Sequence, residues 1–465
     1  MDLCKKNEKG MALPAVIMVM LITFTLSAAV LNMATSQVKT ETAYETNTQA
    51  LQAAEAGLNM YLWYVNKEGA NIELDTVITY PDSNPKYAFI LHEIESTNAK
   101  KEVTSTGWSI HKPDIKKTVS AIFKKRTFTE YVYFTDIEPK DNIIWWTTGE
   151  HCYGQLRTNS DLYIEGRPIF YDTVYYAGNY EKRAGANPDF RKGVIHDDPI
   201  HFPTSNTTLL DTAKVDGLYF KGRTSIYMKE DGTLIIWNPG LDEDNEEPPK
   251  SYDLPKNGVI YVDNDNSESA DSNNIFDKSI GNVFISGNLK GRLTVAAANN
   301  IYITDFDPTI KKFSQSRSKG QTNGVTYKST KFNKKEDGFT AIGNDMLGLI
   351  ANNDVVILTK GWFDDTWGQV AWGDIYVHAA VMAIGGSFRN SNYMEYPISD
   401  GANLILRGAL IQKKRGAVGN RSYVGWFPKE TGYKKDYAHD SRMMSEQPPY
   451  FLEPANSGWE ISAWQ

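Results

Sequence analysis

Ala298-Asn299-Asn300-Ile301-Tyr302-Ile303 returns as Ala351-Asn352-Asn353-Asp354-Val355-Val356-Ile357, and the reading of this pair decides the fold of most of the chain. Asparagine tolerates the left-handed conformation of a tight corner, and the alternating run after it points one side chain inward and the next out. Similar short runs stand at Gly281 to Gly287, Asp374 to Val377 and Asn403 to Gly408. Repeated strand-plus-corner units predict rungs of a parallel β-helix, with spacing too irregular for a regular solenoid. A β-sandwich built from the same strands is the alternative. Helical periodicity almost vanishes after Thr129, so residues 129–465 are expected to form one mainly-β outer domain. Within it, the lysine-, serine- and asparagine-rich stretch at about 308–340 reads as a mobile insertion.

Outward toward the N-terminus the pattern changes. Residues 67–128 hold alternating runs at Tyr87 to Ile94, Glu102 to Gly107 and Thr118 to Phe123, separated by turn residues such as Pro81 to Pro85. They predict a small antiparallel sheet. Before it, Gln49 to Asn59 is rich in Ala, Leu, Gln and Glu, and predicts an amphipathic helix over 39–66 with Leu51, Ala54, Leu58, Tyr61 and Val65 on its buried face. Residues 11–38 carry no charge, and the strongly apolar part, Met11 to Leu31, is long enough to cross about 30 Å of hydrocarbon as a helix. Lys5, Lys6 and Lys9 precede it, which places the N-terminus in the cytoplasm and the rest outside. A cleaved secretory signal ending at Ser27-Ala28-Ala29 and an uncleaved signal-anchor are the competing readings. A lipoprotein is disfavoured, because Cys4 precedes the apolar run.

Lys9-Gly10-Met11-Ala12-Leu13, the apolar run without an acid, and the block Ala50 to Leu58 with its Ala53-Ala54-Glu55-Ala56-Gly57 core together resemble the PilX-type minor pilins over roughly residues 9–66. The resemblance implies a prepilin-type leader, residues 1–10, cut by a prepilin peptidase between Gly10 and Met11, and a pilin-like long helix. Pro14 fits such a cut, since its ring would clash with the Gly10 carbonyl that cleavage removes. Major type IV pilins carry a glutamate at the fifth mature position, and this chain has Ala15 there. That departure implies a low-copy subunit. The implied partners are the membrane, other pilins and the pilus assembly machinery, and the implied role is assembly, priming or tip display. Gly154 to Pro168 and Gly432 to Phe451 resemble blocks in uncharacterised bacterial proteins joined to PilX-like N-termini.

The chain has 465 residues and a net charge of −8 with both signs interspersed, so no basic face suggests nucleic acid. Cys4 would leave with the leader, and Cys152 then has no partner, so no internal disulfide is expected. Parallel β-helices often act on polysaccharides, which makes a surface-anchored carbohydrate-active enzyme or a glycan-binding adhesin the alternative function. Its candidates are weak. His196-Asp197-Asp198-Pro199-Ile200-His201 has a metal-compatible composition, but a polar loop is the plainer reading. Asp364-Asp365 between Trp362 and Trp367 has the composition of a sugar-binding acid pair, but an ordinary acidic surface turn beside packing tryptophans is the plainer reading. Asp263, Asp265 and Asp271 lie in a run reminiscent of a calcium loop, where Glu268 replaces the required glycine and Asn274 the final glutamate. This run and the acidic stretch Asp242 to Glu247 read as solvated loops, so no metal, cofactor or catalytic residue is assigned.

Overall fold

The computed structural model describes residues 12–464 apart from 68–71, 82, 98, 242–245, 266–270, 272, 310–311, 314–323, 359, 364–365, 370–373, 395–401, 425–426 and 456. The protein is mixed α and β, with one long apolar N-terminal helix, a small antiparallel sheet and a large sheet-rich domain. It divides into two compact units.

In the first unit α1 runs from Ala12 to Asn66, about 80 Å at 1.5 Å per residue. Strands β1 (Val77–Tyr80), β2 (Tyr87–Ser96), β3 (Lys100–Ser109) and β4 (Lys112–Lys125) form an antiparallel meander. The last strand of the chain, Trp459–Trp464, completes this sheet beside β4. The expected outer domain, residues 129–465, is therefore shorter at its end: its final strand belongs to the small sheet, and residues 125–458 are inserted between β4 and that strand.

The helix packs on the sheet through small residues. Thr46, Ala50, Ala53, Ala54, Leu58 and Tyr61 are buried, whereas Leu51, expected on this face, is 40 % exposed. The stripe is rotated because close approach, and not side-chain bulk, sets the contact. A Cβ added to Gly107 of β3 would meet the Ala54 nitrogen at 2.2 Å and the Ala50 carbonyl oxygen at 2.7 Å, and one on Gly57 would meet Ser105 Oγ at 2.4 Å. Ala53 to Gly57 thus interlocks with Ser105 to Gly107.

The second unit is built from parallel ladders. In spatial order the first ladder joins Val194–His196, Val174–Tyr176, Gln155–Thr158, Tyr131–Ile137, Asn403–Lys414, Ile375–Ala383, Met346–Ala351, Arg292–Ala297, Val259–Asp263 and Leu218–Lys221. The chain therefore enters at the middle, beside a strand that comes nearly last. It advances to one end at His196, crosses to the far end at Leu218, and returns to the middle. A second ladder repeats this order, with His151–Tyr153 beside Lys434–His439 at the same level. The sequence repeat lies in a third: Ile301–Ile303 pairs in parallel with Val355–Ile357, and Asn353 Nδ2 donates to Asn299 Oδ1 at the corner.

Residues 197–217 make the crossing. They lie on the outer side of the first ladder, where Asn206 Nδ2 donates to the carbonyls of Ala297 and Ile350 at 2.9 and 3.2 Å and Asn206 Oδ1 accepts from the Tyr261 hydroxyl at 3.0 Å. Leu209 and Ala213 of the helix Thr207–Asp216 bury against Val259, Tyr261 and Ala296. The ladder is apolar on both sides, as Met346–Ala351 illustrates with all six residues buried. Part of the expected mobile insertion also differs from that reading: Gly324–Tyr327 is a buried ladder strand, and Lys331–Lys335 with Gly338–Ile342 forms an antiparallel hairpin. The rest of the lysine-rich stretch falls largely outside the described residues.

Candidate functional site

The N-terminal part of α1 has no packing partner among the described residues. From Leu13 to Val38 its large apolar side chains are exposed, including Phe24 and Leu31. It is the one helix among the described residues long and apolar enough to cross a membrane. Its hydroxyls turn inward on the helix: Thr23 donates to the carbonyls of Val19 and Met20, and Thr25 to that of Ile22, all at 2.9 Å. These threonine donors are thereby satisfied within the helix, as an apolar solvent requires. Ala15 sits on this surface. Gly10 and Met11 lie outside the described residues.

A second concentration of polar groups, missed by sequence reasoning, sits where the first strand of the large unit meets the last ones. Lys413 Nζ is 2.6 Å from Asp136, Lys435 Nζ is 2.5 Å from Glu150, and Arg415 Nη1 is 3.6 Å from Glu138. Gln412 donates to Tyr133 Oη at 2.8 Å, and His439 Nε2 donates to the Thr129 carbonyl at 2.7 Å. The Arg415 side chain is 1 % exposed and that of Glu138 3 %. The guanidinium lies 4.6 Å from the Trp146 ring centre. Burial pushes the Glu138 carboxyl up to about 7 against the opposing pull of Arg415. Burial also lowers Lys435, opposed by Glu150. In sequence these residues look like ordinary charged loop positions, because their partners are far away along the chain.

The raised carboxyl sets a pH dependence. Between the ordinary value of 4.5 and about 7 the folded chain holds a proton on Glu138 that the unfolded chain releases. Stability from this group is complete below 4.5, falls as pH rises through that window, and is level above it. Glu138→Gln should remove this slope. Thermal midpoints of both proteins from pH 4.5 to 7.5 test it, and parallel profiles would refute the assignment.

The residues singled out for other chemistry are engaged structurally. His196 ends a ladder strand with its ring against Tyr176, and Asp197 pairs with the buried Arg157 at 2.8 Å. Arg157 lies beside the Tyr131 and Tyr175 rings, and His201 accepts through its carbonyl from Ala455. Asp263 accepts from the Tyr219 hydroxyl at 3.0 Å, and Asp271 Oδ1 accepts from the Asn273 nitrogen. Asp265 donates through its backbone to Ser279. The structure does not bring these three aspartates into a described metal cluster; among the described residues, no three His, Cys, Asp or Glu side chains are placed to hold a metal. Trp362 and Trp367 are register partners in the backbone of an antiparallel hairpin, while Asp364 and Asp365 lie outside the described residues. Cys152 is buried and free.

One stack of aromatic groups deserves comparison with a sugar platform. Tyr153 and Tyr171 stack at 4.1 Å between ring centres, Arg191 covers Tyr171 at 4.2 Å, and Phe339 sets an edge against Tyr153. These faces are taken up within the chain itself. Comparison with protein-family models, with curated proteins and with solved structures finds no match to this chain.

Proposed function

We propose that the chain is a membrane-anchored, minor-pilin-like subunit that displays a large parallel β-helix outside the cell and acts through assembly, priming or tip display. The observation that carries this reading is the interlock of α1 with β3. The Ala-Ala-Glu-Ala-Gly block supplies the small residues that let the outer half of a membrane-spanning helix seat on a pilin-like sheet. The exposed apolar half remains available, first to lipid and then to the helices of other pilins. Ala15 offers no carboxylate to neutralise a neighbouring ammonium, which suits a subunit used in few copies.

The parallel ladders support the β-helix part of the reading. Their neighbours pair in parallel over successive levels, as rungs do, whereas a sandwich made of hairpins would pair mainly in antiparallel fashion. The mechanism is one of position and involves no turnover: a prepilin peptidase removes the leader, the subunit waits in the membrane, and the assembly machinery draws α1 into a filament.

Processing provides the test. Mass spectrometry of the mature N-terminus should find Met11, and Gly10→Leu should abolish cleavage, because a branched side chain crowds a protease site that accepts glycine. A mature chain beginning near Val30 would instead identify a secretory signal and end the pilin reading.

A further inference from the structure

The turns at one end of the small sheet gather exposed lysine and apolar side chains. Gly57 meets Ser105, while Gly107 meets Ala50 to Ala54, so β3 runs opposite to α1 and its end at Ser109 points back toward the apolar half of the helix. The β1–β2 and β3–β4 turns lie at that end and are tied together, with the Ile110 nitrogen donating to the Lys86 carbonyl at 3.0 Å. Their exposed side chains include Tyr80, Lys86, Ile110, His111, Lys112, Asp114, Lys116 and Lys117. Asp82 and Asp114 are the acids in the same turns, leaving lysine in excess.

The two ends of the sheet treat lysine differently. At the far end Lys100 and Lys101 pair with Glu95 at 2.6 Å and Glu93 at 3.3 Å. At the turn end Lys116 lies 4.5 Å from the Trp108 ring centre, and among the described residues no carboxylate pairs with Lys86, Lys112 or Lys117. The height is also suitable. Ile110 lies three residues beyond Gly107, about 10 Å toward the helix N-terminus at 3.3 Å per residue, which brings it level with Tyr44 or Glu45. The charge-free stretch from Met11 to Val38 spans about 42 Å as a helix, the thickness of a bilayer with its headgroups. The turns then stand about 10 Å above the headgroup edge, within one Debye length and nearly within the reach of a lysine side chain.

We propose that Lys86, Lys112, Lys116 and Lys117, with Tyr80 and Ile110 between them, form a collar that docks on anionic phospholipid headgroups while the subunit resides in the membrane. This rests on the membrane-anchored reading above. The collar fixes the tilt of the sheet unit over the bilayer and holds the waiting subunit against the surface. Extraction into a filament releases it.

The test uses the full chain reconstituted in vesicles of phosphatidylcholine alone and in vesicles with about one-third phosphatidylglycerol, read by hydrogen exchange of residues 108–117. Exchange should slow by about tenfold in the anionic vesicles, and lose that protection in about 1 M salt and in a variant with the four lysines replaced by serine. Alkali-resistant insertion in both vesicle types with equal exchange would overturn the collar and leave the anchor standing. Failure to resist alkali extraction from either would overturn the anchor and the collar with it. Protection that survives the four serine substitutions would assign the effect to the helix, and would also overturn the collar.

Discussion

Gly107→Val is expected to unfold the helix–sheet unit. At Gly107 the new Cβ alone would sit 2.2 Å from the Ala54 nitrogen and 2.6 Å from the Ala53 carbonyl carbon, both backbone atoms that cannot swing aside as a side chain can. Relief requires α1 to lift off β3, which exposes Ala50, Ala53, Ala54 and Leu58 together. Overpacking of this kind costs about 3 kcal/mol or more, a large part of the stability of a unit this small. Gly338→Ala is the control, since a Cβ there meets nothing within 4 Å. Limited proteolysis and the near-ultraviolet signal of Trp108 should report the loss of the small unit in Gly107→Val alone. A variant within about 0.5 kcal/mol of the parent would refute the interlock.

Arg415→Ala should destabilise the large unit by about 3–5 kcal/mol, because it leaves Glu138 buried without its counter-charge and opens a space beside Trp146. The double variant Arg415→Met with Glu138→Gln should recover most of this loss, since it removes the charge pair while keeping much of its volume. Denaturant unfolding of the parent, Arg415→Met, Glu138→Gln and the double variant measures the coupling. An additive cycle would show that the two groups stand near each other without energetic consequence.

How much of this was legible beforehand depends on the range over which each feature acts. The helix from the apolar run through Asn66 and the strands around Phe89, Val103 and Ala121 follow from local periodicity, and the structure contains them. The repeat at Asn299 and Asn353 announced two adjacent ladder levels because corner and strand chemistry are local. The stripe that buries Ala50 and Ala53 in place of Leu51 was not legible, since the bulk of a side chain predicts burial only where there is room for it. Trp459–Trp464 alternates as a strand should, but nothing within it names β4 as its neighbour. The cluster of Glu138, Glu150, Arg415 and Lys435 shares this difficulty: each partner lies hundreds of residues from the other, and each alone resembles a solvated charge. Asp263 and Asp271, which read as solvated loop carboxylates, accept from the Tyr219 hydroxyl and the Asn273 nitrogen, as carboxylates in short polar turns readily do.

Entry of the chain at the middle of the ladders gives synthesis a fixed timetable. Tyr131–Ile137 is delivered early, yet its neighbour on one side is Asn403–Lys414, so that edge stays vacant until almost the whole polypeptide has emerged. Synthesis from the N-terminus must keep this edge from unwanted strands for the time needed to add more than two hundred and fifty residues. A chain stopped before Asn403 would carry a permanently open edge and be a substrate for proteases or aggregation, so arrival of the last ladder strands serves as a checkpoint for completeness.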